Sequence, residues 1–453
     1  MSAIIHDGFR KFNADNFIDF IDGTPKVLYL GIGKPTPWSG NSIGEYADAS
    51  VGNPYSDTVI PVPIDTTVAP YLHYADLLAV KKINSPSTSH VLKRIDWTSG
   101  TVYVEYNHNT NNLIDVDFFV MTDQYNVYKC ISNYSGAASV VKPTGQSENI
   151  IETSDNYRWK FMFEIQQADV LTFVTPDWIP VNSPGTANQS NQQNVESTAV
   201  DGALDQISVT AGGTNYKSNV GTSAATGTVN TIKLASGSGD HLVDDQYNNM
   251  TVYISAGTGE GQFSTISDYV GADQIATVSP AWALATDSTS VYQVMPAVTL
   301  VSTTSTSTAT ARVSSVIGGV IKKVSTIAVG AGYRSATATI TSGGGTGATI
   351  FPIIGPAGGH GKDSVSELGG AFVMLNTRLI GFEGGIVPIN DDFRKVHLIV
   401  DPKLAADDTI ATASVILGSD LKVGSGSIIY SEFRAPINRA ADSTEDIKLV
   451  VEF

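Results

Sequence analysis

The side chains of this chain best suited to chemistry are seven histidines, a single cysteine and two close aspartates. His6, His73, His90, His108, His241, His360 and His397 stand too far apart for the i, i+2 or i, i+4 pairs of a compact metal site. His360 is distinctive, lying in Gly358-Gly359-His360-Gly361 with Asp363 just beyond. It could be a ligand or an acid–base group in a loop. No nucleophile or second ligand accompanies it, so the expected role is structural, its ring nitrogens pinning a glycine-shaped turn. Asp115 and Asp117 are expected on one face of a strand, whereas paired glycosidase acids come from different elements. Asn107 to Asn112 beside them lacks the spacing and central glycine of a calcium loop and reads as a polar hairpin tip. Gly257–Gly261 and Gly343–Gly347 superficially resemble phosphate loops, but neither opens a helix with Lys-Ser or Lys-Thr, so both are expected as hairpin turns. Cys130 has no base marked beside it and reads as a small buried hydrophobe. No Gly-x-Ser-x-Gly elbow occurs. The expectation is therefore no enzyme, with no catalytic, cofactor-binding or metal-binding residue.

The elements that must position these residues are mostly strands. Charged residues are sparse and Gly, Ser, Thr and Asn plentiful, a β-rich and turn-rich signature. Near the start, Asp7 can cap a helix with a stripe of Phe9, Phe12, Phe17, Ile18 and Ile21, stopped by Gly23 and Pro25. Val27 to Ile32 suits a buried strand. Tyr71 to Ile83 reads as a second helix with Leu72, Ala75, Leu78 and Ala79 on one face. Strands are expected at Thr101–Tyr106, Asp115–Met121, Asn126–Ile131 and Tyr157–Ile165, and the chain ends in one that faces Ile447, Leu449, Val451 and Phe453 inward. Trp38, Trp97 and Trp159 read as core or interface anchors.

The middle of the chain repeats itself. Gly202 to Tyr216 and Gly319 to Tyr333 share a pattern of alternating β-formers, glycines at 213 and 330, and a closing Tyr. The closing strands Val298–Val301 and Ala309–Val313 match Ala336–Ile340 and Ala348–Ile353. The first copy is interrupted, with a nested small β domain, about 236–296, between its opening segment and its closing strands. The organisation drawn from this is a core in two parts, 1–196 and 358–453, around an inserted β-repeat block at 197–357. The fold class is mainly β (α+β): an antiparallel β-sandwich core with flanking helices, interrupted by the insertion.

Lys and Arg number 27 against 44 Asp and Glu, a net charge of −17. That excludes a nucleic-acid binder of the usual basic kind. No apolar run reaches the length of a membrane span, the first residues lack a signal-peptide pattern, and one cysteine fits a reducing site of synthesis. The expected partners therefore include neither nucleic acid nor membrane.

The outer segments resemble the baseplate wedge subunit of T-even-type contractile-tailed bacteriophages, the gene product eight family. The resemblance is carried by Phe9-Arg10, Leu28 to Gly31, Pro37-Trp38-Ser39, Pro54-Tyr55 with Asp57, Arg94 with Asp96-Trp97, Val127 to Cys130, and Tyr157-Arg158-Trp159 through Phe163-Glu164-Ile165. It continues in Asp391 to Arg394, Ile399 to Pro402, Ile429-Tyr430, Arg434, Pro436 and the strand ending at Phe453. Gly358 to Gly361 with Asp363 and Glu367-Leu368-Gly369 looks like a junction shared by related phage wedge proteins, while the block from Ser197 to Pro356 has no counterpart in the type member. The resemblance implies a virion structural protein of the tail baseplate, assembled in the host cytoplasm, paired within each wedge and docked to other wedge proteins. Trp38, Arg94, Trp97, Trp159, His360, Arg394, Arg434 and Phe453 are its interface or structural candidates. The alternative is a carbohydrate-binding adhesin or receptor-binding tail module presenting Tyr216, Tyr333 and Trp282 in an open groove. A glycan hydrolase is the weakest reading, since no acid pair is identifiable.

Overall fold

Asp7–Asp22 forms the first helix, and its last turn closes where the Gly23 N–H donates to the Asp19 carbonyl at 2.8 Å. Ala14 is buried, and Phe17, Ile18, Phe20 and Ile21 pack with it on the core. Phe9 and Phe12 are exposed, which corrects the expected stripe. The five residues from Phe12 to Phe17 turn the helix through roughly 140°, carrying Phe12 off the buried face. The structure, a computed structural model, describes residues 7–23, 26–33, 73–74, 77–110, 115–185, 189–236, 239–378, 392–438 and 446–453.

The chain divides into two units: Met1–Arg94 with Ile165–Asn182 and Gly369–Phe453, and Ile95–Glu164 with Ser183–Leu368. The sequence-drawn boundaries at 196 and 357 both fall inside the second unit, which takes 95–164 together with the central block.

The first unit is a β-sandwich. A five-stranded antiparallel sheet runs in the order Val415–Leu417, Leu77–Lys82, Leu28–Gly33, Asp392–Val400, Ser427–Asn438. A four-stranded sheet runs Asp446–Glu452, Phe372–Arg378, Thr88–Lys93, Trp178–Pro180. Leu28, Leu30, Ile32, Val396, Leu398 and Val400 of the larger sheet share a core with Val373, Leu375 and Leu449 of the smaller. The final strand keeps its expected inward face, with Ile447, Val451 and Phe453 packed beside Leu449. Leu77–Lys82 is a strand where the sequence suggested a helix. Its side chains serve both faces, Leu78 on the inter-sheet core and Leu77 and Val80 on a second core with Tyr29, Ile399 and Ile416. A run buried on two sides shows no alternation and mimics a helical stripe.

In the second unit, a four-stranded antiparallel sheet runs Phe119–Met121, Asn126–Ser132, Arg158–Glu164, Ile151–Glu152. Thr101–Tyr106 is not a strand: it makes one bridge, Thr101 to Ser139, and the Tyr103 N–H donates to the Tyr157 hydroxyl at 3.3 Å. Asp115 and Asp117 likewise precede the strand that begins at Phe119, so they do not share a strand face.

The two repeat copies exchange strands. The last strand of the first copy, Thr310–Ile317, pairs with the first strand of the second, Val320–Ala328. The last strand of the second, Thr346–Ile353, pairs with the first strand of the first, Gln206–Thr214. The middle strands, Val298–Val301 and Thr337–Ile340, pair with each other. Smaller contacts follow the same exchange. The Tyr216 N–H donates to Gly319 O (3.0 Å) and the Tyr333 N–H to Gly202 O (3.1 Å). The Tyr216 hydroxyl accepts from Ala348 N (3.4 Å) and the Tyr333 hydroxyl from Ala309 N (2.7 Å). Gly213 and Gly330 sit at φ +63° and +61°, and a Cβ on either would lie 2.6 Å from those same amide nitrogens. Glycine is required there because each of these positions lies against the other copy's backbone.

The nested domain begins earlier than expected. Its six-stranded sheet starts with Asn219–Thr222 and Thr231–Lys233 and continues to Val291–Met295. The Ala224 N–H donates to Lys233 O (3.0 Å), joining the sheet's two ends around a core that includes Tyr247, Tyr269, Trp282 and Tyr292. Gly257–Gly261 lies in the connection between sequence-adjacent, paired strands, as expected of a hairpin turn, and Gly343–Gly347 spans the end of such a connection and the first residues of Thr346–Ile353.

Candidate functional site

Among the described residues, the strongest concentration of buried charge lies on one face of the four-stranded sheet of the second unit. In Asn126–Ser132 and Arg158–Glu164 the two faces have opposite characters. Tyr128, Cys130, Trp159 and Phe161 point into an apolar core with Tyr103, Val120 and Tyr157. Lys129 and Lys160 are directly opposite in the ladder on the other face, and Arg158 follows by alternation. Like charges facing each other in a sheet repel, so this face needs anions.

Two carboxylates supply them. Glu367, in the short helix Ser364–Leu368, accepts from Lys129 Nζ at 2.6 Å with both side chains buried. It also accepts from the Gly361 N–H at 2.8 and 3.0 Å and the Asp363 N–H at 3.2 Å. Asp205 lies close enough for its charge to act on Arg158, Lys160 and Lys129. Arg158 Nη1 donates to the Asp205 carbonyl (2.7 Å) and to Gln206 Oε1 (2.9 Å), and Lys160 Nζ to the Glu148 carbonyl (2.5 Å). The Lys129 ammonium also lies 4.2 Å from the centre of the Tyr106 ring. Burial pushes Lys129 and Lys160 below the usual lysine range, opposed by the nearby carboxylates. Burial also raises Asp205, against the pull of Arg158, Lys160 and Lys129.

His360 sits at the edge of this cluster, buried, its ring 4.8 Å from that of Tyr106 and nearly perpendicular to it. Burial, then the charges of Lys129, Lys160 and Arg158, hold its pKa well below the ordinary histidine value, so the ring is neutral. Its Nδ1 has no hydrogen-bond partner and stands 4.0 Å from Glu367 Oε2. The expectation that its ring nitrogens pin the turn is therefore corrected for Nδ1. Glu367 does the pinning, through the N–H groups of Gly361 and Asp363.

The other sequence candidates do not converge on one place. Trp159 is fully buried, stacked on Tyr157 at 5.4 Å, and Trp97 packs at the edge of the same core with its Nε1–H donating to Ser139 Oγ at 3.1 Å. In the first unit, Arg94 Nη1 donates to the Thr175 carbonyl (3.1 Å). There too, Phe453 lies 5.2 Å from Phe17, and its backbone carbonyl accepts from Arg10 Nε at 2.6 Å. Arg394 is half-buried in Asp392–Val400, and Arg434 belongs to Ser427–Asn438. Trp38 lies outside the described residues.

Sequence reading missed Lys129, Lys160, Asp205 and Glu367. A signal existed: a cation inside each of two otherwise apolar strands, Tyr128-Lys129-Cys130 and Trp159-Lys160-Phe161, must find an anion if both faces are buried. Chemically, the arrangement is a clasp that fixes the 358–368 turn to the sheet. Its groups are consumed by one another, and among the described residues no three His, Cys, Asp or Glu side chains gather as a metal-holding group. Among the described residues, no helix is long and apolar enough to cross a membrane. No protein-family model matches the chain, and no curated protein matches it.

Proposed function

We propose that this protein is a structural subunit of a contractile-tail baseplate wedge, acting through association with other wedge proteins and with a second copy of itself. The observation that carries the reading is the placement of the repeat aromatics. Tyr216 and Tyr333 are buried between exchanged β strands, and Trp282 is buried in the core of the nested domain. A module displaying those rings to glycans in an open groove needs them exposed; a scaffold needs them inside. The ordered resemblance of the outer segments to baseplate wedge subunits supports the same reading, as do the two-sheet core and the buried Lys129–Glu367 pair of the clasp. Large complementary surfaces suffice for such a role. The test is electron microscopy of contractile tails decorated with antibody to the purified chain. Label at the baseplate end is the expected result, and label absent from the tail would overturn the proposal.

A further inference from the structure

Within the second unit, a cleft of about 190 Å³ opens between the four-stranded sheet and the exchanged repeat strands Gln206–Thr214 and Val320–Ala328. It is smaller than the roughly 300–1,000 Å³ of pockets for drug-sized ligands, a size suited to one sugar ring. It mixes charges of both signs, Glu105 and Glu152 against Arg158, Lys322 and Lys323. Lys323 Nζ donates to Glu152 Oε1 at 2.6 Å, and Arg158 Nε stands 4.0 Å from Glu152 Oε2. Glu105 accepts from Ser208 Oγ at 2.5 Å and from the Asn133 N–H at 3.3 Å. An anion entering here meets two carboxylates, and a cation meets a guanidinium and two ammonium groups. A neutral ligand carrying many hydroxyls meets acceptors and donors in alternation, since each hydroxyl can both give and take a hydrogen bond.

Three non-glycine residues in the left-handed region line this cleft: Tyr134 at φ +49°, Ser135 at +62° and Asn156 at +66°. Asparagine adopts this conformation readily, but tyrosine does so at a cost. Residues held in such conformations cluster at ligand clamps. Tyr134 is half-buried and is the one aromatic residue in a lining otherwise rich in hydroxyls, amides and charges. Aromatic face plus dense polar edge is the combination that fits the apolar C–H face and hydroxyl rim of a sugar. We infer that this cleft is a binding site for an uncharged saccharide unit. The inference goes beyond the wedge reading and does not depend on it.

The test is ligand-observed NMR on the full chain, with glucose, galactose and N-acetylglucosamine as probes and gluconate and protonated glucosamine as charged counterparts. At least one uncharged sugar should bind in the millimolar range, more tightly than either charged counterpart. Tyr134→Gly and Asn156→Gly remove the side chains while keeping a backbone that glycine adopts freely. Each should weaken binding roughly tenfold or more (about 1.4 kcal/mol per tenfold), with the thermal midpoint kept or raised. The inference is overturned if no uncharged sugar binds, if a charged counterpart binds more tightly, or if both glycine variants bind as the parent does.

Discussion

Replacing Glu367 by Gln isolates the charge of the clasp from its shape. The amide keeps an oxygen that can accept from the Gly361 and Asp363 N–H groups, but it leaves the buried Lys129 ammonium without the carboxylate now 2.6 Å away. Lys160 lies opposite on the same sheet face and adds repulsion. Removing one partner of a buried ion pair costs about 3–5 kcal/mol. Cys130 provides the assay, being the only cysteine, fully buried, and next to Lys129 on the same strand. Its labelling by a thiol reagent under native conditions reports opening of this sheet. At about 1.4 kcal/mol per tenfold, Glu367→Gln should accelerate labelling by roughly a hundred-fold to several thousand-fold. Lys129→Met alone should also accelerate it, by stranding Glu367. The double variant should label much more slowly than the product of the two single effects implies, because neither charge is then left unpaired. Labelling of Glu367→Gln within about threefold of the parent, or strict additivity in the double variant, would refute the clasp.

Three further outcomes follow from other sites. His397 is fully buried in the first unit with neither ring nitrogen hydrogen-bonded, and burial, with the nearby His73 and Lys395 charges, lowers its pKa from 6.5 to about 3. The unfolded chain takes up this proton below about 6.5 and the folded chain does not, so stability is fully present above 6.5 and is lost as pH falls to about 3. His397→Leu should remove about 4–5 kcal/mol of that acid dependence, seen as non-parallel unfolding midpoints across a pH series; parallel curves would contradict it. Tyr333→Phe strips a buried 2.7 Å bond from the Ala309 N–H and should cost about 1–3 kcal/mol in chemical denaturation. Tyr216→Phe, whose bond is 3.4 Å, should cost less, and the reverse order would argue against the exchanged repeats as described. Deleting Ile447–Phe453 removes buried Leu449, three flanking apolar side chains and the ladder along Phe372–Arg378. Leu449 alone is worth about 1.5–3 kcal/mol, and the three partly buried side chains and the lost ladder bonds add to it, against a margin of roughly 5–15 kcal/mol for a whole domain. The truncated chain should be insoluble, and a melting curve like that of the full chain would contradict the sandwich.

Much of the β architecture was legible because strand alternation is a local signal. The repeat strands and the terminal strand lie within a few residues of where alternation puts them, whereas Asn219–Thr222 and Thr231–Lys233 of the nested domain lie outside its expected bounds. Leu77–Lys82 was misread because burial on both faces erases the alternation that separates strand from helix. Thr101–Tyr106 alternates as a strand does, yet Val102 and Val104 are exposed and a tyrosine hydroxyl takes a backbone N–H that a ladder would otherwise use. The repeat itself was visible in sequence, but its exchange of strands was not, because copies of like pattern can close on themselves or on each other without any change in that pattern. The clasp escaped for a related reason. Lys129 and Glu367 are 238 residues apart, and nothing local to Glu367 marks it as the partner of a strand lysine.

The proposal of a subunit that works by assembly is tested most directly by native mass spectrometry of the purified chain mixed with candidate baseplate wedge proteins of a contractile tail. The account calls for a defined complex that contains two copies of this chain and survives dilution. A chain that stays monomeric and joins no complex with those proteins would contradict it.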